Sequence, residues 1–129
     1  MAYTREEIAT RSAPAAIGPY SQAIRAGEMV FTSGQIPLEP ASGSIVSGSV
    51  ERQAEQVMQN LKAVLEAAGS SFERVVKFTC FITDMADFPA VNAVFERHLS
   101  SPYPARSCVQ VAALPKAAAV EVEAIALAG

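Results

Sequence analysis

Few side chains in this 129-residue sequence combine the types and spacing that chemistry needs, and the familiar arrangements can be tested one by one. One histidine (His98) and two separated cysteines (Cys80 and Cys108) fall short of the three or four ligands that a zinc site wants. No G-x-S-x-G elbow occurs, and His98 has no recognisable orienting carboxylate, so a Ser-His-Asp hydrolase is unsupported. Neither G-x-G-x-x-G nor G-x-x-x-x-G-K is present, which leaves nucleotide cofactors without a warrant. The sequence therefore predicts no metal and no cofactor. His98 lies near the end of a predicted helix, where a cationic imidazole suits the dipole, a structural role.

What remains is Pro104-Ala105-Arg106-Ser107-Cys108. An arginine that opens a strand after a proline-stiffened approach, and faces an uncovered side of a sheet, can present its planar fork to a carboxylate through two hydrogen bonds. That is an anchor for a small organic acid. Cys108 falls on the same face; it is either a nucleophile or a buried structural thiol, and no charged neighbour that would lower its pKa can be placed from sequence.

These residues need elements to hold them. Val57, Met58, Leu61, Val64, Leu65 and Ala68 recur at helical spacing, with Ser49 as an N-cap and Gly69 as the left-handed terminator. A second helix is predicted after Asp87 as N-cap, with Pro89 in its first turn and Phe88, Val91, Phe95 and Leu99 as its stripe, into which Asn92 intrudes. Strands are predicted at Glu28 to Ile36, Arg74 to Thr83, Arg106 to Ala112 and Val120 to Leu127, with Ser21 to Arg25 pairing back across Ala26-Gly27. Pro40, Ser42 and Gly43 mark a loop or hairpin tip.

The alternation within the strands assigns faces. Val76, Phe78, Cys80 and Ile82 are read as meeting the helices, together with Val120, Val122, Ala124 and Ala126. The opposite face then carries Phe81, Ile125 and Leu127 beside Arg106, Lys77, Glu121 and Glu123. Two helices can cover only one side of a sheet, and an apolar patch left on the other marks an interface, most simply with further copies of the chain. Arg106 and Glu121 would lie in or near such an intersubunit cleft, as either a structural salt bridge or a ligand site.

Composition bounds the rest. Half the residues are apolar and 18% are charged, so the chain is globular, with room for one domain and not two catalytic ones. A formal charge of −3, with no run of Lys or Arg, argues against nucleic acid as a partner. Apolar stretches break well before the roughly 20 residues that span a bilayer, and residues 1–11 form a polar lead-in without an apolar signal core. No membrane partner is expected. Free thiols at Cys80 and Cys108 suit a reducing, cytoplasmic location.

The segments Ala13-Pro14-Ala15-Ala16-Ile17-Gly18-Pro19-Tyr20-Ser21-Gln22, Thr32-Ser33-Gly34-Gln35-Ile36-Pro37, Val91-Asn92, Pro104-Ala105-Arg106-Ser107-Cys108-Val109 and Val120-Glu121-Val122-Glu123-Ala124 occur in that order. Together they resemble the motifs of the Rid family, the reactive-intermediate deaminases formerly called YjgF and also known as the L-PSP endoribonuclease family. The pattern resembles that of its archetypal imine-deaminase branch. The resemblance implies a chorismate-mutase-like α+β fold over residues 1–129: a mixed sheet with two helices on one face, assembled as a homotrimer with clefts between subunits. It implies hydrolysis of 2-imino acids, such as 2-iminobutanoate and 2-iminopropanoate, to 2-ketoacids and ammonia. Position by position it makes Arg106 the carboxylate clamp and Glu121 the group that positions or activates water, with Tyr20, Ser33, Gly34, Asn92 and Cys108 lining or supporting the pocket.

Other roles stay open for several of these. Tyr20 could be a packing aromatic in a rigid turn, Ser33-Gly34 a strand end where backbone meets backbone, and Asn92 a partner for loop backbone. Ala113 stands where many relatives carry a basic residue, and Lys116-Ala117-Ala118-Ala119 is a plainer loop than theirs. Rival functions are a trimeric module that binds carboxylates or ketoacids as signals, a pathway-specific deaminase of a larger enamine, and an RNA-cleaving translation inhibitor, the last disfavoured by the acidic charge.

Overall fold

The computed structural model describes residues 4–129. Strands β1 (Arg5–Ile8), β2 (Ala23–Ala26), β3 (Met29–Thr32), β4 (Val75–Ile82), β5 (Ala105–Gln110) and β6 (Val120–Leu127) form one sheet in the order β1-β2-β3-β6-β4-β5. All neighbours are antiparallel except β4 and β5, which are parallel and joined through a helix, so the sheet is mixed. Helices α1 (Val50–Ala67) and α2 (Phe88–His98) pack on one face. This is the expected α+β architecture.

Local chemistry accounts for the elements. The Ser49 hydroxyl accepts the Arg52 amide at 3.2 Å and starts α1 as expected, a cap worth about 1 kcal/mol. Gly69, at φ +78°, takes the left-handed conformation that ends it. The apolar stripe of α1 meets Val30, Phe78, Ile82, Val120 and Val122 from the sheet and Val91 and Val94 from α2, all fully buried. Phe78 stands edge-on to Phe95, with ring centroids 5.3 Å apart.

Several expectations need correction. The lead-in contains β1, whose Ile8 side chain reaches the core while Arg5 to Glu7 remain outside; residues 1–3 of that segment lie outside the described residues. The inward row of β4 begins one residue earlier than read. Val75 lies opposite Ala126 and Lys77 opposite Ile125, so a bulge between them turns Val75 inward and leaves Val76 44% exposed. Asp87 precedes α2 without bonding its amides; instead Asp84 Oδ1 accepts the Ala86 N–H at 2.9 Å and caps a short 3-10 turn that runs into the helix. Val94 joins Val91 and Phe95 in the buried stripe, and Leu99 lies just past the helix end. His98 is spent on α1: its Nε2 lies 2.6 Å from Glu55 Oε2, beside an Arg97–Glu51 pair at 2.8 Å.

The other sheet face has no helix over it. Phe31, Val109 and Leu127 are 44%, 45% and 44% exposed there, with Ile125 and Phe81 half-buried among them. Among the described residues no helix is long and apolar enough to cross a membrane.

Candidate functional site

Arg106 lies on the helix side of the sheet, not on the uncovered side. β4 and β5 run parallel with Phe78 opposite Arg106 and Cys80 opposite Cys108, so these four side chains share the inward face. The sequence could not place the arginine because β5 is an edge strand, with exposed residues on both faces and no alternation to read. Its guanidinium carbon sits 5.2 Å from the Phe88 ring centroid and 5.3 Å from that of Phe95, a cation held over two aromatic faces.

One Nη of Arg106 donates to Asn92 Oδ1 at 2.8 Å, and Asn92 Nδ2 donates to Glu96 Oε1 at 3.2 Å. Asn92 thus bonds side chains and not loop backbone. Its place on the stripe of α2 turns it toward β5, where it fixes one edge of the fork. Among the described residues no carboxylate is within ion-pair distance of Arg106, so its remaining N–H donors are available to a cleft of about 300 Å³ lined by Asn92, Phe95, Leu99, Tyr103 and Pro104. Cys108 is half-buried two residues along, beside the wholly buried Cys80. Burial, and then Cys108, push the Cys80 thiol far above the usual cysteine range.

Glu121 points to the other face, opposite Phe81. It shares a second cavity, about 630 Å³, with Tyr20, Ser33 and Gly34. Gly34 makes this possible: a Cβ there would overlap the Glu121 carboxylate and stand 2.8 Å from its Cδ. Burial raises the Glu121 pKa, and the Glu123 charge raises it further. Ser33 Oγ donates to the Ser21 carbonyl at 2.6 Å, so its hydroxyl fastens the loop that carries Tyr20. The Tyr20 ring is exposed over Gly18. At the rim, Lys116 and Ala117 hold φ of 55° and 56°, strained for side-chain-bearing residues, and Lys116 Nζ donates to the Gly43 carbonyl at 3.4 Å.

One chain therefore holds two separate groups of candidate residues. Tyr20, Ser33, Gly34 and Glu121 come together, and Arg106 and Asn92 come together on the other side of the sheet; Cys108 follows Arg106 on the same face of β5 but does not line its cleft. Within one chain no Arg106–Glu121 salt bridge forms. Among the described residues no three His, Cys, Asp or Glu side chains cluster as metal ligands.

Two positioning residues had no role in the sequence reading. Gln22, 4% exposed, donates to the carbonyls of Thr10 at 3.0 Å and Pro14 at 2.7 Å and accepts the Thr10 amide at 2.7 Å, pinning the loop before Tyr20 to β2. Asn60, buried within α1, donates to the Ile36 and Leu38 carbonyls at 3.3 and 3.0 Å and fixes the strand end beyond Gly34. Asn60 was discoverable as a polar residue bordering the apolar stripe. Gln22 left only the hint that a Pro- and Gly-rich loop must be anchored somewhere.

The family model described as Endoribonuclease L-PSP matches residues 10–128. The chain is 54% identical over 125 residues to Protein DfrA of Myxococcus xanthus, with 95% of each chain covered. To the 2-iminobutanoate/2-iminopropanoate deaminase of Homo sapiens it is 46% identical over 125 residues, covering 97% of this chain and 91% of that one. RidA from the Antarctic bacterium Psychrobacter sp. PAMC 21119 superposes with a TM-score of 0.91 at 50% identity, over 95% of this chain and 98% of that one. E. coli TdcF with bound serine superposes with a TM-score of 0.90 at 48% identity, over 96% and 99%.

Proposed function

The chain belongs to the YjgF/RutC/Rid family, and from that premise we propose that it hydrolyses 2-imino acids to 2-ketoacids and ammonia at sites completed between copies of itself. The observation that carries the reading is Arg106, a guanidinium stacked on two rings with one edge bonded to Asn92 and its other donors turned to an open cleft. Such a fork suits the carboxylate shared by imino and keto acids. The serine bound to E. coli TdcF offers a carboxylate of the same kind.

In the proposed reaction the Arg106 fork fixes the carboxylate and Glu121 holds a water against the C=N carbon. Glu121 accepts a proton as the water oxygen bonds to that carbon. Glu121 then gives that proton to the carbinolamine nitrogen, the C–N bond breaks as the hydroxyl becomes the ketone and returns its proton to Glu121, and ammonia leaves. Imino acid plus water gives ketoacid plus ammonia, and a protonated imine is electrophilic enough to need no cofactor. Because Arg106 and Glu121 occupy opposite faces, the cleft of one copy must meet the cavity of another. We place this site in a homotrimer, closed by the uncovered sheet face, in the cytoplasm.

The test couples purified protein to a pyridoxal-dependent threonine dehydratase and follows ketoacid appearance. We expect the protein to accelerate release of 2-ketobutanoate from the imine; an unchanged rate rejects the deaminase. Tight binding of 2-ketobutanoate without acceleration would instead select the carboxylate-binding module, for which the serine bound to TdcF is the supporting observation. The family's ribonuclease description finds no basic stripe in a chain of net charge −3, and no RNA cleavage is expected.

A further inference from the structure

Cys80 and Cys108 are 28 positions apart in sequence, yet β4 and β5 set them directly opposite each other on one face of the sheet. Both are free thiols, Cys80 wholly buried and Cys108 half-buried two residues along β5 from Arg106. Neighbouring strands stand about 4.8 Å apart, within the Cα separation a disulfide accepts. Parallel strands keep Cβ atoms at about that same spacing, roughly 1 Å beyond what the bond prefers. β5 has a strand on one side only, so it can close that gap by moving toward β4.

We propose that Cys80 and Cys108 form a reversible, peroxide-responsive dithiol site whose oxidation displaces Arg106. The chemistry balances with a two-electron peroxide oxidant. The sulfur of Cys108, the less buried of the two residues, attacks the peroxide; the O–O bond breaks, an S–O bond forms, and one water leaves. The Cys80 sulfur then attacks the sulfenic sulfur, the S–O bond breaks, and a second water leaves as the disulfide forms. Two thiols are oxidised and one peroxide is reduced to water. Burial keeps Cys80 protonated, so ring closure is the slow step; conversion of Cys108 to a neutral sulfenic acid removes one of the causes that hold the proton there.

The consequence runs along β5. Arg106 is two residues from Cys108 on the same face, and an inward shift of the strand moves its guanidinium off Phe88, Phe95 and Asn92. A displacement approaching 1 Å is enough to lower kcat/KM by at least about tenfold. The strain that closes the bond also leaves it easy to reduce.

The thiol chemistry stands apart from the deaminase reading, and only its effect on turnover rests on that reading. Reduced protein is treated with hydrogen peroxide at low molar excess, then followed by intact mass, thiol titration, non-reducing peptide mapping and the dehydratase-coupled assay. We expect both thiols to disappear together, the mass to fall by two hydrogens, and one peptide pair to be linked through Cys80 and Cys108. Turnover should drop and return with dithiothreitol. Cys80→Val, a substitution of similar volume outside the binding groups, should keep basal turnover and gain oxygen on Cys108 instead; Cys80→Ala serves if Val disturbs folding. Oxidation confined to Cys108, or links only between copies, overturns the dithiol site. A disulfide that leaves turnover unchanged overturns its coupling to Arg106. A reduced parent that forms the disulfide but never deaminates rejects the deaminase reading while upholding the thiol chemistry.

Discussion

Arg106 spends part of its charge on two aromatic faces and one amide oxygen, which fixes the plane of its fork before any ligand arrives. Arg106→Lys keeps the charge but replaces the fork with a point charge, so binding and turnover should both fall with the fold intact. Arg106→Ala should lower kcat/KM by at least roughly thirtyfold, given the 2 to 5 kcal/mol typical of such a lost pair. Melting and turnover measured on one preparation check this; a variant that deaminates at the parent rate removes Arg106 from the site. Glu121 makes a different forecast. Its pKa is raised on folding, by burial first and Glu123 second, so the native state holds that proton more tightly than the unfolded chain does. That contribution is fully present below the ordinary glutamate range and is lost as pH rises through the folded value. Glu121→Gln stays neutral throughout, so its melting temperature relative to the parent should rise between pH 4 and pH 7. A difference constant across that interval contradicts the burial of this carboxylate.

At the scale of elements, the segments carrying Tyr20 and Gly34 are tied to regular structure by side-chain amides. Gln22→Met keeps the side-chain volume but leaves the Thr10 and Pro14 carbonyls without their donor. The cost should be about 1 to 3 kcal/mol of unfolding free energy. Because the freed loop carries Tyr20, KM should rise more than kcat falls, which denaturant titration and steady-state kinetics together would reveal. A stable variant with unchanged KM would make Gln22 a packing residue only. Asn60 acts likewise on Ile36 and Leu38, so α1 supports the cavity from behind as well as supplying the core.

For the whole molecule, one layer of helices leaves Phe31, Ile125, Phe81 and Leu127 on the other side of the sheet, and the same sheet keeps Arg106 away from Glu121. The proposed self-association would answer both problems at once, covering the apolar face and letting one copy's cleft meet another's cavity. Sedimentation should give the mass of three chains. Ile125→Asp should yield monomers that retain the helices yet do not deaminate, although Arg106 and Glu121 are both present. A parent monomer at micromolar concentration that deaminates would refute the shared site.

Much of this was legible in the residues themselves. Ser49, Gly69 and the stripe from Val57 to Ala68 specify α1 through capping and helical period, and Val120 to Ala126 specify the buried row of β6 through strict alternation. Those signals are local, so the sequence suffices to read them. The chemistry of Arg106, a fork fit for a carboxylate, was likewise a property of the side chain and its proline-flanked strand. Its face was not, because the exposed residues of an edge strand show no alternation and only the pairing of Phe78 with Arg106 orients it. The bulge after Val75 escaped for a related reason, since one extra residue shifts a period-two pattern without changing its composition. The placing of Arg106 and Glu121 on opposite faces, the seat that bare Gly34 leaves for Glu121, and the meeting of Cys80 with Cys108 depend on segments far apart in the chain. Local propensity carries no information about such contacts; strand order and register decided them.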